Sequence, residues 1–69
     1  MKKIQEISDP NSCLNRASPD EFLFVLRSKD KAMADTIVFW AGLRIGMGLN
    51  KLWDPKIQEA LALAEKLKE

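Results

Sequence analysis

The spacing of apolar and polar positions is most regular in the last third of the chain. Ile57, Ala60, Leu61, Ala64 and Leu67 recur at three- and four-residue intervals, with Lys56, Glu59, Glu65, Lys66 and Glu69 between them. That period describes one apolar stripe on a polar rod and predicts a helix over 55–68. Asp54-Pro55 marks its start. Proline lacks an N–H that would go unpaired in a first turn, and a preceding aspartate can accept from the free amides.

A second helix is predicted over 31–47, capped by Asp30. Its apolar residues do not keep to one stripe: Met33, Ile37, Trp40 and Ala41 mark one face, Val38, Ile45 and Leu49 another, and Phe39, Leu43 and Met47 a third. A helix apolar on so many sides is normally enclosed by other elements. Two flanking helices in a short chain hardly enclose it, whereas another subunit would. Gly42 and Gly46, four residues apart, admit two readings. Inside the helix they make a smooth strip where a second helix approaches closely; alternatively the helix ends near Ile45, with Gly46, Gly48 and Asn50 in its exit turn. Gly48 belongs to the turn on either reading.

A further helix is expected over 19–28. Ser18-Pro19-Asp20-Glu21 has the form of a capping box, with Glu21 three residues after Ser18. The Phe22-Leu23-Phe24-Val25-Leu26 run that follows also suits a buried strand. The upstream cap and the lack of any partner strand favour the helix. Residues 1–17 read as an arm carrying Ile4 and Ile7, with one helical turn over 12–16. The expected fold is therefore all-α: a single three-helix mini-domain with a short N-terminal arm, its helices packed into a homo-oligomer.

Composition sharpens this picture. With 69 residues there is room for one domain, and a core of that size rarely supplies more than about 3–5 kcal/mol of net stability. The single cysteine, Cys13, excludes an internal disulfide, and the absence of histidine excludes a Cys/His metal cluster. Helix packing or self-association must supply the rest. A net charge of +1 is too small for a protein that coats DNA or anionic membrane. Helix 31–47 also offers mainly apolar side chains where a recognition helix needs polar and basic ones, so DNA readout is not expected. Polar Gln5, Glu6, Ser8 and Asp9 follow Met1-Lys2-Lys3 where a signal peptide would be apolar. The stretch from Thr36 to Asn50 is too short to span a bilayer. The expected setting is the reduced cytoplasm, with no membrane partner.

Enzyme chemistry finds little support. Without histidine no Ser-His or Cys-His pair exists. Cys13, near Arg16, reads as an ordinary free thiol, and Asp20 and Glu21 as capping acids. Gly46-Met47-Gly48 lacks the third glycine of a dinucleotide fingerprint and follows a helix instead of a strand. No catalytic residue, metal or cofactor is implied. Arg44 is more informative, being the only charge between Thr36 and Asn50 and four residues beyond Trp40 on the same helix face. A cation in an apolar segment needs a partner. Asp30, Asp35, Asp54 or a neighbouring subunit's acid could serve, or else an external phosphate or carboxylate held by the guanidinium fork. Arg16, Arg27, Lys29 and Arg44 are the candidate phosphate-facing residues, Trp40 the stacking surface, and Asn15 and Asn50 the readers of polar edges. Trp40 and Trp53 otherwise read as core, with Trp53 stapled onto the helix after Asp54.

The run Asp9-Pro-Asn-Ser-Cys-Leu-Asn-Arg-Ala17 carries a resemblance. So do Asp20-Glu21, Phe24-Val-Leu-Arg27, Asp30, Ile37, Trp40, Leu43-Arg-Ile45, Gly48, Asn50, Ile57, Glu59-Ala-Leu61 and Ala64. Together these positions resemble a group of short uncharacterised proteins encoded in phages and phage-derived regions of bacterial genomes. The resemblance implies a setting and no mechanism: very small phage accessory proteins counter host defence by binding a host protein or by soaking up nucleotide signals. The expectation is a non-enzymatic counter-defence protein that sequesters a small anionic ligand, such as a nucleotide second messenger, in pockets between subunits. The alternative is an interaction factor that docks on a host protein through the apolar helix 31–47.

Overall fold

The computed structural model describes residues 1–69 and is all-α, with no strand. Three helices and one single-turn segment follow in order: α1 (Lys3–Ser8), α2 (Cys13–Arg16, one turn), α3 (Met33–Gly46) and α4 (Pro55–Leu67). The packed contacts join α3 to α4 and α1 to α2.

The stripe on α4 lies where its period places it. Ile57, Ala60 and Ala64 are buried, with Leu61, Leu63 and Leu67 half-buried beside them. On α3 the covered positions are Met33, Ala34, Ile37, Trp40, Ala41 and Arg44, a set that also repeats at helical spacing and forms one face. Ala41, Ala60 and Ala64 keep the two backbones close, and Ile57, 0% exposed, is the one large side chain sealed completely.

That interface is nearly the whole core. Besides those four apolar residues only Ser12 is buried. Phe39 and Leu43 project from the opposite side of α3 and are exposed, and Met47, the residue just past its end, is exposed as well. Gly42 and Gly46 lie on that same outer face, where a Cβ on either would meet nothing within 4 Å. Gly42 lies inside α3 and Gly46 is its last residue, and no second helix of the chain approaches either one. The helix stops in the following turn. Gly48 takes a φ of 74°, its N–H donates to Ile45 O at 3.0 Å, and the Leu49 N–H donates to Arg44 O at 2.9 Å. This left-handed helix stop suits glycine because an L side chain there crowds its own backbone.

The expected helix over 19–28 does not form. Its cap begins a turn, with the Glu21 N–H donating to Ser18 O at 3.1 Å, but the Ser18 hydroxyl turns to Asp20 Oδ1 at 3.2 Å. From Glu21 to Arg27 the chain has neither helix nor strand. Phe22 is 100% exposed, and Phe24 and Val25 are largely so. A ten-residue helix is marginal in water without a packed face, and of Phe22–Leu26 only Leu26 is even half-buried. Asp30 precedes α3 by more than a cap: its carboxylate accepts from the Ala32 N–H at 2.8 Å, while Ala32 holds the N-cap position.

The molecule is correspondingly open. Its accessible surface is 5996 Å², against about 4,400 Å² expected for a folded monomer of its mass. Its radius of gyration is 12.7 Å, against about 11 Å for a compact domain of this length. No helix is long and apolar enough to cross a membrane.

Two substitutions test this account of the fold. Ile57→Ala is expected to cost about 2–4 kcal/mol through lost burial and a cavity. Gly48→Ala is expected to cost about 1 kcal/mol through the left-handed backbone. Urea unfolding followed by circular dichroism measures both; an Ile57→Ala chain as stable as the parent would refute the α3–α4 core.

Candidate functional site

The chemistry-bearing residues fall into two separate places. The first is the α1–α2 unit. Asp9 Oδ1 accepts from the Asn11 N–H at 2.9 Å, turning the chain after α1. Ser12 caps α2, its Oγ accepting from the Asn15 N–H at 3.1 Å while its own O–H donates to Glu6 O. The Asn15 amide nitrogen lies 2.8 Å from Glu6 O, 2.9 Å from Ile7 O and 2.8 Å from Asp9 O. Those carbonyls close the end of α1, where helical partners run out. The Asp-Pro-x-Ser-Cys-Leu-Asn-Arg run is thus a hydrogen-bonded clamp between two short helices. Asn15 is occupied in that clamp, and Arg16 stands exposed in the last turn of α2. Cys13 is an exposed free thiol.

The second place is the junction of α3 and α4. Arg44 lies with its guanidinium carbon 5.9 Å from the Trp40 ring centroid, and Lys56 Nζ lies 6.0 Å from the same ring. Arg44 Nε donates to Asn50 Oδ1 at 2.6 Å, and Asn50 Nδ2 donates to Asp54 Oδ2 at 3.0 Å. Asn50 therefore joins Arg44 to Asp54. None of the acids expected as a direct partner for Arg44 forms an ion pair with it: Asp30 accepts from a backbone amide, Asp35 sits 4.0 Å from Lys68, and Asp54 is one residue removed through Asn50. Neither terminal guanidinium nitrogen is hydrogen-bonded within the chain.

Asp54 does not cap α4 with its side chain, although it occupies the N-cap position. Its carboxylate reaches back to accept from the Lys51 N–H at 2.9 Å. That backbone hydrogen bond, then the Asn50 amide and the Lys51 charge, hold its pKa below the ordinary carboxylate value. Trp53 departs from its expected place in the core: it is 72% exposed, with Lys51 Nζ 5.4 Å from its ring centroid. A staple onto α4 would need an apolar residue at the fourth helical position, where Gln58 stands. The Gln58 side-chain amide instead donates to Leu52 O.

The seven candidate residues are thus divided. Trp40, Arg44 and Asn50 come together, and Asn15 and Arg16 belong to the α1–α2 unit. Arg27 and Lys29 line an open depression with Val25 and Asp30. Lys56 is exposed, as its place on the polar side of α4 predicts, and its Nζ also reaches the Trp40 ring. The missed signal was its place one residue after the proline that opens α4, opposite the end of α3. The chain matches no protein-family model, no curated protein and no solved structure. The site must be argued from its own geometry.

Because the folded pKa of Asp54 is depressed, its contribution to stability is present above the unfolded value. That contribution is lost as pH falls through 3.8, the ordinary value, toward the lower folded one. Acidification in that range is expected to free the Lys51 amide and release Arg44 from its Asn50 tether. Proton and nitrogen chemical shifts of Lys51 measure this, and Asp54→Asn should abolish the titration; an unchanged Lys51 titration in that variant would exclude Asp54 as its source.

Proposed function

We propose that this chain is a non-enzymatic binding protein that works as an assembly of copies and holds a small anionic ligand of the nucleotide kind around Trp40, Arg44 and Lys56. The observation that carries the reading is two cations on one indole, neither of them paired with an acid. Each is attracted to the ring, and neither has an acid to neutralise it, so a phosphate or carboxylate would supply the missing opposite charge. Asn50 holds Arg44 by Nε alone, leaving the fork of the guanidinium for a bidentate anion. Trp40 supplies a plane for a base. In the phage setting that the resemblance implies, such a protein would sequester a nucleotide signal from host defence in the cytoplasm. Pockets between copies suit a molecule that leaves so much apolar surface bare.

A second reading has its own observation. Phe39 and Leu43 stand exposed on one face of α3, with Met47 exposed just past its end, and an apolar helix face of this kind docks into a groove on another protein. A host protein would then be the partner.

Tryptophan fluorescence titrations with inorganic phosphate, mononucleotides and cyclic dinucleotides test the first reading, alongside native mass spectrometry of the purified chain. Saturable quenching by at least one nucleotide is expected, and Arg44→Ala should weaken it by about tenfold or more, as for one charged hydrogen-bonded contact. No response to any of these probes at millimolar concentration would overturn the ligand reading. A single copy that captures one host protein would favour the second.

A further inference from the structure

The Phe22–Leu26 segment poses a physical problem that its own chain does not solve. No backbone N–H from Phe22 to Lys29 donates a hydrogen bond within the molecule, and the two phenylalanines face water. Aromatic and β-branched residues of this kind favour strands, but a strand needs a partner and its side chains need a floor. The outer face of α3 has the opposite need: Phe39 and Leu43 stand exposed beside the open notches of Gly42 and Gly46.

We propose that two copies pair through these segments as an antiparallel two-stranded ribbon, whose Phe22 and Phe24 side lies on the outer faces of the two α3 helices. The proposal rests on the assembly reading above and names the surface that makes it. Charge selects the antiparallel sense. Asp20 and Glu21 precede the apolar run, and Arg27 and Lys29 follow it. With the two-fold axis at Phe24, antiparallel pairing sets Glu21 opposite Arg27 of the second copy, twice over. Parallel pairing sets acid against acid and base against base, which is destabilising. Strand alternation puts Phe22, Phe24 and Leu26 on one side of the ribbon. A lone two-stranded ribbon is marginal in water and needs a helix or further strands beneath it. The α3 faces provide that support, and the ribbon gives every second one of the idle backbone amides an acceptor, the alternate ones pointing away from the partner strand.

The areas agree. The chain exposes about 1,600 Å² more than a folded monomer of its mass should. Two copies that each buried this excess would lose about 3,200 Å², within the range of obligate dimers. Both copies use the same patch, so the contact closes on itself at two subunits.

Sedimentation equilibrium and amide hydrogen exchange on the full chain test the proposal. A concentration-dependent dimer is expected, with alternate amides of Phe22–Leu26 at least about tenfold slower in exchange in the dimer than at dilution. Glu21→Lys and Arg27→Glu chains, each alone, are expected to dimerise about three- to tenfold more weakly. An equimolar mixture of the two should recover the parent affinity, because both ends of the mixed ribbon then carry opposite charges. This recovery distinguishes lost pairing from lost folding. A dimer whose Phe22–Leu26 amides remain unprotected, or whose charge variants do not rescue one another, would overturn the ribbon and leave assembly standing. A chain that stays single at all concentrations would overturn both.

Discussion

The contact between α3 and α4 is the constraint from which the remaining geometry follows. Ile57, Ala60 and Ala64 on one side and Ala41 on the other are its fully buried apolar residues. Because three of the four are alanines, the helices approach closely, and the seal depends on backbone proximity more than on side-chain volume. Turning Ala41 inward aims Phe39 and Leu43 outward, since these lie on opposite sides of one helix. It also brings the end of α3 beside the start of α4, so that Trp40 and Arg44 meet Lys56.

Elsewhere hydrogen bonds do the work that a core would do in a larger protein. The α1–α2 unit buries one residue, Ser12, and is held by side-chain amide and hydroxyl groups that satisfy the ends of short helices. The connection from α3 to α4 is organised in the same way. Gly48 reverses the backbone, Asn50 spans Arg44 and Asp54, and the Asp54 carboxylate fixes the Lys51 amide. The few long side chains with defined positions are placed by these polar turns. Where neither packing nor a polar turn is available, from Glu21 to Arg27, the chain has no regular structure.

This division ties fold to the proposed function. A protein that closed over its own apolar residues would have little left to offer a partner. Here the outer row of α3 and the Phe22–Leu26 run remain at the surface, while the cations at the helix junction lack acids of their own. Binding and assembly are the natural uses of such a surface, and neither requires a catalytic group.

Local patterns in the sequence were enough for the elements that contain their own instructions. The period of Ile57, Ala60, Leu61, Ala64 and Leu67 with Asp54-Pro55 before it specified α4 to within a residue, and Gly48 announced the turn after α3. The Trp40–Arg44 pair followed from helical spacing alone. The capping sequence Ser18-Pro19-Asp20-Glu21 misled, because a cap favours a helix only when some surface waits to bury its apolar face. Side-chain direction was equally out of reach. Asp54 turns back to Lys51, Asn15 bends to the carbonyls of α1, Trp53 stands in water, and Arg44 meets the Asn50 amide in place of an acid. Spacing along a chain says which residues share a face of one element. Which face is covered, and by what, depends on contacts between elements, and only the tertiary structure decides those.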